Sequence, residues 1–388
     1  MRHKLYETNS YCREHDTQVA DAWEENGKHF VILEETIFFP EEGGQYADTG
    51  CFILEQGDTV QVLDGKLQAD KVVHEVDGEV KVGERVHCVL DWDKRYMRMQ
   101  NHSGEHILTG AIHNRYGYDN VGFHLSDDGE VTMDMSGVLT PEQAMEMETV
   151  ANELIYKNLP IVDLYPDKGT LAQMEYRSKI EIEGQVRLIQ IGDKEEMHDL
   201  CACCAPHVAR TGEVGLIRIT SLTNYKGGVR IGILCGMRGF DYAREQSRML
   251  GRVAGMLSTK PEQVFSIVEN MKKETAALRQ KVTELTDEIV RGKMDSLSEP
   301  ILFLPEDVTA VTMKNAFNDM AEKFSGYTGV FVGTDETGYR YYAGSRDLDA
   351  RELAAIMREK LGAKGGGNQD MIQGKVERTA EEIRGVFE

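Results

Sequence analysis

The sequence of 388 residues is short of positive charge: 44 Lys and Arg stand against 66 Asp and Glu, a formal net charge of -22. Affinity for nucleic-acid phosphate comes from clustered Lys and Arg, so this balance excludes indiscriminate nucleic-acid binding and leaves room only for a local basic groove. No run approaches the roughly 18 apolar residues that span a bilayer, and the opening MRHKLYETNSYC lacks the apolar stretch of a signal peptide. Both absences place the chain in the cytoplasm. An even set of cysteines is missing too: there are seven, without a secretion signal, which excludes a disulfide framework in favour of reduced thiols. With 41% hydrophobic and 28% charged residues the chain has the composition of a soluble protein, long enough for about two to four domains.

The stretch that organises this chain is NHSGEHILTGAIH, Asn101 to His113, read with CACCAPHVARTGEVG at 201–215. His102 and His106 lie four apart among apolar residues at helical spacing, so both imidazoles project from one helix face. Cys203 and His207 repeat that spacing around Pro206, which favours a turn or strand end over a helix. Two imidazoles, a thiolate and a third imidazole are a donor set suited to zinc. A lone i, i+4 histidine pair is commonly accidental, but three cysteines within four residues beside a histidine are not explained by buried structural cysteine. Cys204 and Cys201 are rival sulfurs at spacings of three and six from His207.

Residues 1–90 read as mostly β, from VILEETIFFP, CFILEQGDTVQVLDG and KVVHEV between Gly, Asp and Pro breaks. Within them TIFFPEEGGQYADTG, Thr36 to Gly50, supplies the substrate-binding candidates Thr36, Gly43, Gly44 and Gln45. The two glycines permit positive φ and close approach to a ligand, or serve simply as a hairpin turn. Residues 91–237 read as α+β. Asp91 or Asp93 caps the histidine helix, NVGFHLSDDGEVTMDMSG forms a strand, a turn and a strand, a helix starts at Thr140 with Pro141 in its first turn, and residues 180–237 add strands such as GLIRITSL and GGVRIGILCG. His124 in the first of these strands either faces the metal pocket as a catalytic group or is an ordinary strand histidine. Glu105, three residues after His102, is the candidate acceptor of a proton from attacking water.

Residues 238–297 form a helical spacer, capped at Ser258 or Thr259, in which Met271, Leu278, Val282, Leu285 and Ile289 follow an a/d track. That track serves a neighbouring helix or a second copy. Residues 298–388 mix the strands ILFLP, VTAVTM, GVFVGTD and YRYYAG with the helices KNAFNDMAEKFSG and LDARELAAIMREKLG, an α/β pattern. Near its end Gly365, Gly366 and Gly367 form a loop that either brings backbone N–H groups to a nucleotide or RNA phosphate, beside Lys364 and Lys375, or is simply a flexible connection before the last helix.

TIFFPEEGGQYADTG, HSGEH, CCAPHVARTGEVG and KGGVRIGILCG, in this order and spacing, resemble the editing half of alanyl-tRNA synthetase and its free-standing relatives, the AlaX proteins. The resemblance runs over essentially the whole chain. It implies an α+β protein with an N-terminal β-barrel-like domain, a zinc editing domain, a helical spacer and a C-terminal α/β domain like the DHH-associated domain of long-form AlaX. It also implies a hydrolase that removes serine, and glycine as a second candidate, from mischarged alanine tRNA, with Zn2+ held by His102, His106, Cys203 and His207 and a homodimer through the last domain. The sequence departs from the family at three places. The family's CGGTH is Cys203-Cys204-Ala205-Pro206-His207 here, Gly122, Phe123 and His124 stand where a glutamine is common, and the last glycine tract is shortened. HSGEH also fits the H-x-x-E-H motif of metallopeptidases, which would require a carboxylate ligand from another helix, and a non-catalytic tRNA-binding module with structural zinc is the third reading.

Overall fold

Six strands at the start of the chain close on themselves. β1 (Glu14–Glu25), β2 (Lys28–Leu33), β3 (Gly50–Leu54), β4 (Thr59–Gln68), β5 (Lys71–Val76) and β6 (Arg85–Leu90) make a barrel in the order β1-β2-β5-β4-β3-β6. Closure removes the unpaired edges that short strands would otherwise expose. Period-two alternation points Val31, Phe52, Val62 and Cys88 into its core, joined by Phe38 from the loop between β2 and β3. This computed structural model describes residues 4–126, 131–178 and 185–387. The chain divides into two units, residues 1–250 and 251–388.

The barrel runs into helix α1 (Trp92–Tyr116), whose cap is Asp91, accepting from the Lys94 amide at 3.5 Å. Its segment from Asn101 to Ile112 is buried almost on every side. Two sheets surround it. One has the order β12-β13-β8-β7, from β7 (Asn120–Leu125), β8 (Val131–Met135), β12 (Ile217–Tyr225) and β13 (Gly228–Cys235). The other has the order β11-β10-β9, from β9 (Ile161–Leu164), β10 (Leu188–Gly192) and β11 (Met197–Ala202). The turn expected between β7 and β8 falls on residues 127–130, and the beginning of the strand-bearing segment expected over 180–237 on residues 180–184, both outside the described residues. Helix α2 (Pro141–Lys157) starts as its sequence predicts, with a Thr140/Gln143 capping box and proline in the first turn. Gly104 of α1 leaves no room for a side chain, since a Cβ there would stand 2.3 Å from Cys235 Sγ. A glycine is what lets α1 seat on β13.

Helix α3 (Gly236–Met256) leads to a short turn and then α4 (Val264–Asp295). Neither Ser258 nor Thr259 caps α4, because a 3-10 turn at Pro261–Gln263 intervenes and the Thr259 hydroxyl is spent on Gln263 Oε1 at 2.9 Å. The a/d track is solvent-facing, with Leu278 65% and Ile289 63% exposed. Only the last turns, through Val290 and Met294, enter a core.

A five-stranded sheet of order β14-β15-β16-β18-β17 completes the second unit, built from β14 (Ile301–Leu304), β15 (Thr328–Thr334), β16 (Gly338–Gly344), β17 (Lys364–Gly367) and β18 (Met371–Val376). Helices α5 (Ala310–Lys323) and α6 (Ala350–Leu361) accompany it. Two expectations are corrected here. VTAVTM is the start of α5 and not a strand: Thr309 caps the helix by accepting from the Thr312 amide, and Met313, Ala316, Phe317 and Met320 bury one helical face, so tertiary packing overrides the β-branched run. Gly365, Gly366 and Gly367 are not a loop but the edge strand β17, with Gly365 opposite Gly374. A Cβ on Gly365 would lie 2.2 Å from Gln373 O and 2.8 Å from the Tyr341 hydroxyl, so close strand packing accounts for glycine there.

Candidate metal centre

His102 and His106 project from α1, as their spacing predicts, and the irregular segment after β11 brings Cys203 and His207 against them. The four candidate donor atoms lie within 4.8 Å of one another, and the three histidines are buried. Cys203 Sγ is 3.5 Å from His102 Nε2 and 3.3 Å from His207 Nε2. Bonds of ~2.0–2.3 Å to a tetrahedral zinc imply donor-to-donor edges of about 3.3–3.8 Å, so these separations fit the ion.

Two of the rings are held by a hydrogen-bond partner on their other nitrogen. Gln45 Oε1 sits 2.9 Å from His102 Nδ1, and Ser103 Oγ sits 3.0 Å from His207 Nδ1. Asp199 Oδ2 stands 3.8 Å from His106 Nδ1. The partners of His102 and His207 fix their tautomers and leave Nε2 to a metal.

Gln45 reaches the site because its loop is pinned from below. Buried Arg95 donates through Nε to Asp48 Oδ2 at 2.9 Å and through Nη2 to Ile37 O at 2.7 Å, and Arg98 Nη1 donates to Ala47 O at 2.6 Å. Glu42 and Gln45 exchange main-chain bonds of 3.2 and 3.1 Å around Gly43 and Gly44, whose φ values of 62° and 82° make a two-residue turn that favours glycine. The turn passes so near β7 that a Cβ on Gly44 would meet Phe123 O at 2.3 Å. The glycines are therefore a hairpin turn and also a wall of the site. On the other side, Arg187 Nη1 donates to Ala205 O at 2.7 Å and to Cys203 O at 3.2 Å, holding the Cys203–His207 loop.

Electrostatics favour the ligand form at Cys203 and His207 and the protonated form at His106. Burial pushes the Cys203 thiol up, but the adjacent His102 and His207 rings outweigh it and hold it well below its ordinary range. Burial lowers His207 to about 3, keeping it neutral. His106 is pushed down by burial, yet Cys201, Glu105 and Asp199 outweigh this and hold it well above 6.5. Burial raises Cys204, which faces Gly43 and is not in the group of four.

Glu105 is buried at the cluster: its Oε1 accepts from Asn120 Nδ2 and its Oε2 is 3.7 Å from His106 Nε2. His124 is not brought there. Its exposed ring lies edge-on to Tyr46, while the preceding Phe123 faces His102 at 4.7 Å between centroids. Thr36 lies in the barrel, its hydroxyl 2.9 Å from His74 Nε2, and Gly365, Gly366 and Gly367 belong to the other unit. Sequence reasoning missed Ser103, Asn120, Arg177, Arg187 and Asp199. Ser103 sits inside the HSGEH motif, but the remainder come from segments whose pairing no local spacing reveals.

Residues 5–94 match the family of class II (A) tRNA synthetases, and residues 186–231 the second additional domain of threonyl and alanyl tRNA synthetases. The alanyl-tRNA editing protein AlaX-L of Pyrococcus horikoshii is 27% identical over 99% of this chain and 96% of its own length. The alanine–tRNA ligases of Methanocorpusculum labreanum and Ignicoccus hospitalis are 28% and 30% identical over 93% and 74% of this chain. The chain spans only 40% and 32% of those two ligases. The chain thus resembles the long-form AlaX editing protein from end to end, and alanine–tRNA ligases over a part of their length.

Proposed function

We propose that this chain hydrolyses, in trans, the aminoacyl ester of alanine tRNA mischarged with serine, with glycyl-tRNA as a second substrate, at a zinc ion held by His102, His106, Cys203 and His207. The observation that carries the reading is the meeting of Cys203 Sγ with two Nε2 atoms at 3.3 and 3.5 Å, in rings whose Nδ1 atoms are already engaged. Zinc, when bound, supplies Lewis acidity toward an ester carbonyl or a water. The protein's own part is positional and acid–base. Glu105, oriented by Asn120 beside His106, accepts the proton of the attacking water. Between the two titratable candidates this geometry favours Glu105 over His124. The Gly43–Gly44 turn and Phe123 shape the space over His102, and Gln45 keeps that ring oriented.

Residues 298–388, read as a DHH-associated-like domain, add tRNA affinity and pair two copies, and the exposed apolar track of α4 in the 238–297 spacer is a supporting feature. Work on aminoacyl-tRNA places the protein in the cytoplasm, and among the described residues no helix is long and apolar enough to cross a membrane. The test is deacylation of seryl-, glycyl- and alanyl-tRNA of the alanine acceptor, with casein as a peptide control and metal content measured on the same preparation. Ester cleavage that follows zinc content is the expected result. Peptide cleavage, or bound zinc with no cleavage, would replace the reading with a peptidase or a tRNA-binding module.

A further inference from the structure

We propose that Asp199, braced by Arg177, is the positioning residue that fixes His106 as a ligand and sets the affinity of the centre for zinc. The proposal rests on the metal-centre reading above and deepens it. His106 differs from its two neighbours: His102 and His207 face neutral partners within hydrogen-bond reach, whereas His106 Nδ1 is buried without a hydrogen-bond partner among the described residues. The carboxylate opposite it is Asp199 Oδ2, at 3.8 Å. A buried N–H left without an acceptor is unfavourable, so a small ring rotation that closes this gap is favoured once Nε2 is committed to a metal. The thiol of Cys201 also neighbours His106 and is the rival partner.

Four further features aim Asp199 at this ring. Arg177 grips it with a fork, Nε to Oδ1 and Nη2 to Oδ2, both at 2.7 Å. Arg177 Nη2 also donates to Thr109 Oγ1 at 3.1 Å, and Thr109 lies three residues beyond His106 on α1, so the guanidinium ties the carboxylate to the helix that carries the ligand. Its own backbone is stitched to β11, Arg177 N donating to Leu200 O and Ala202 N to Arg177 O, both at 2.9 Å. Finally, α1 has glycine where Asp199 approaches: a Cβ on Gly110 would stand 3.0 Å from Asp199 Cβ. An ion pair serving only to hold β11 would need neither the bond to α1 nor the orphaned nitrogen. Carboxylate and guanidinium cancel in charge, so Asp199 contributes direction and basicity to His106 without adding net charge.

The experiment is a zinc titration of the full chain against a chromophoric chelator, for wild type, Asp199→Asn and Cys201→Ala, with folding of each metal-free protein checked by circular dichroism. Asp199→Asn keeps the shape and an acceptor for Arg177, and is expected to weaken zinc about 10–100-fold. Cys201→Ala is expected to leave affinity unchanged. A folded Asp199→Asn protein with wild-type affinity overturns the proposal, as does a loss confined to Cys201→Ala. Should Asp199→Asn fail to fold, the wild type decides: nitrogen NMR of the zinc-loaded protein is expected to show His106 protonated at Nδ1 and metallated at Nε2, and the reverse pattern overturns it. A wild type that takes up no zinc in the same titration defeats the metal-centre reading itself, which is a different outcome from equal binding by wild type and variant.

Discussion

The barrel and the helix that follows it both bury imidazoles, and they use them in opposite ways. His74 lies wholly inside the barrel. Its Nδ1 donates to Val31 O at 3.1 Å, which leaves Nε2 as the acceptor of the Thr36 hydroxyl at 2.9 Å. Both nitrogens are spent, and burial lowers its pKa to about 4. At the cluster His102 and His207 each turn one nitrogen to a protein partner, and Cys203 Sγ lies opposite the other nitrogen of both. A buried histidine is thus a ligand candidate when one lone pair stays uncommitted and a second donor faces it; burial alone does not make it one.

The change that strikes hardest at this contrast is Cys203→Ala. It removes the only thiolate of the four donors, so zinc affinity is expected to fall more than about 100-fold, beyond the loss of an outer partner, and ester hydrolysis to reach background. Cys204→Ala, whose sulfur faces Gly43, is expected to keep both. Metal analysis and deacylation on both variants check this, and release of metal by the Cys204 variant alone would move the centre to the shorter spacing.

The barrel's histidine predicts a pH effect of about 3 kcal/mol, the free-energy equivalent of lowering a pKa from 6.5 to about 4. The sign follows from which state binds the proton: between these values the unfolded chain is protonated at His74 and the folded barrel is not. Stability is therefore full above about pH 6.5 and is lost as the pH falls toward 4. Urea unfolding at several pH values should show this decline in wild type and a shallower one in His74→Gln. Equal slopes would mean that His74 is protonated in the fold and is not the satisfied core residue described here.

Gln45→Ala tests whether a neutral partner orients a ligand. The His102 ring loses its acceptor but no donor to the metal, so zinc affinity is expected to fall about tenfold, roughly 1.4 kcal/mol. The same chelator titration measures it, and an unchanged affinity would show that packing against Phe123 suffices to hold the ring.

Much of the centre was legible because its donors come as local pairs. Helical spacing placed His102 and His106 on one face, and proline kept Cys203 and His207 out of a helix. Cys203 is the sulfur that lies against the rings, and the Cys203→Ala and Cys204→Ala pair tests which of the two holds a metal. What the sequence hid are contacts between segments far apart: Asp199 beside Gly110, Arg187 under the Cys203 loop, Asn120 on Glu105. In the second unit the mistakes share a cause. Local preference alone makes VTAVTM a strand and GGG a loop, and tertiary packing decides both otherwise, burying Met313 and Phe317 on one helical face and bringing Gly365 against Gly374. A glycine run signals close approach, but only the fold says whether a ligand or another strand approaches.

Thr36→Val is the smallest and most selective perturbation of the comparison. The hydroxyl does two things in the barrel, donating to His74 Nε2 and accepting from the Phe38 amide at 3.1 Å. Valine keeps the shape and loses both bonds, so a loss of about 1 kcal/mol is expected, read as a lower urea midpoint. Because His74 and its hydroxyl partner stand apart from the four donors, zinc affinity should not change. A weaker zinc site in the folded variant would mean that the barrel interior and the cluster are coupled through the loop from Thr36 to Gln45, and that the two kinds of buried histidine are parts of one network.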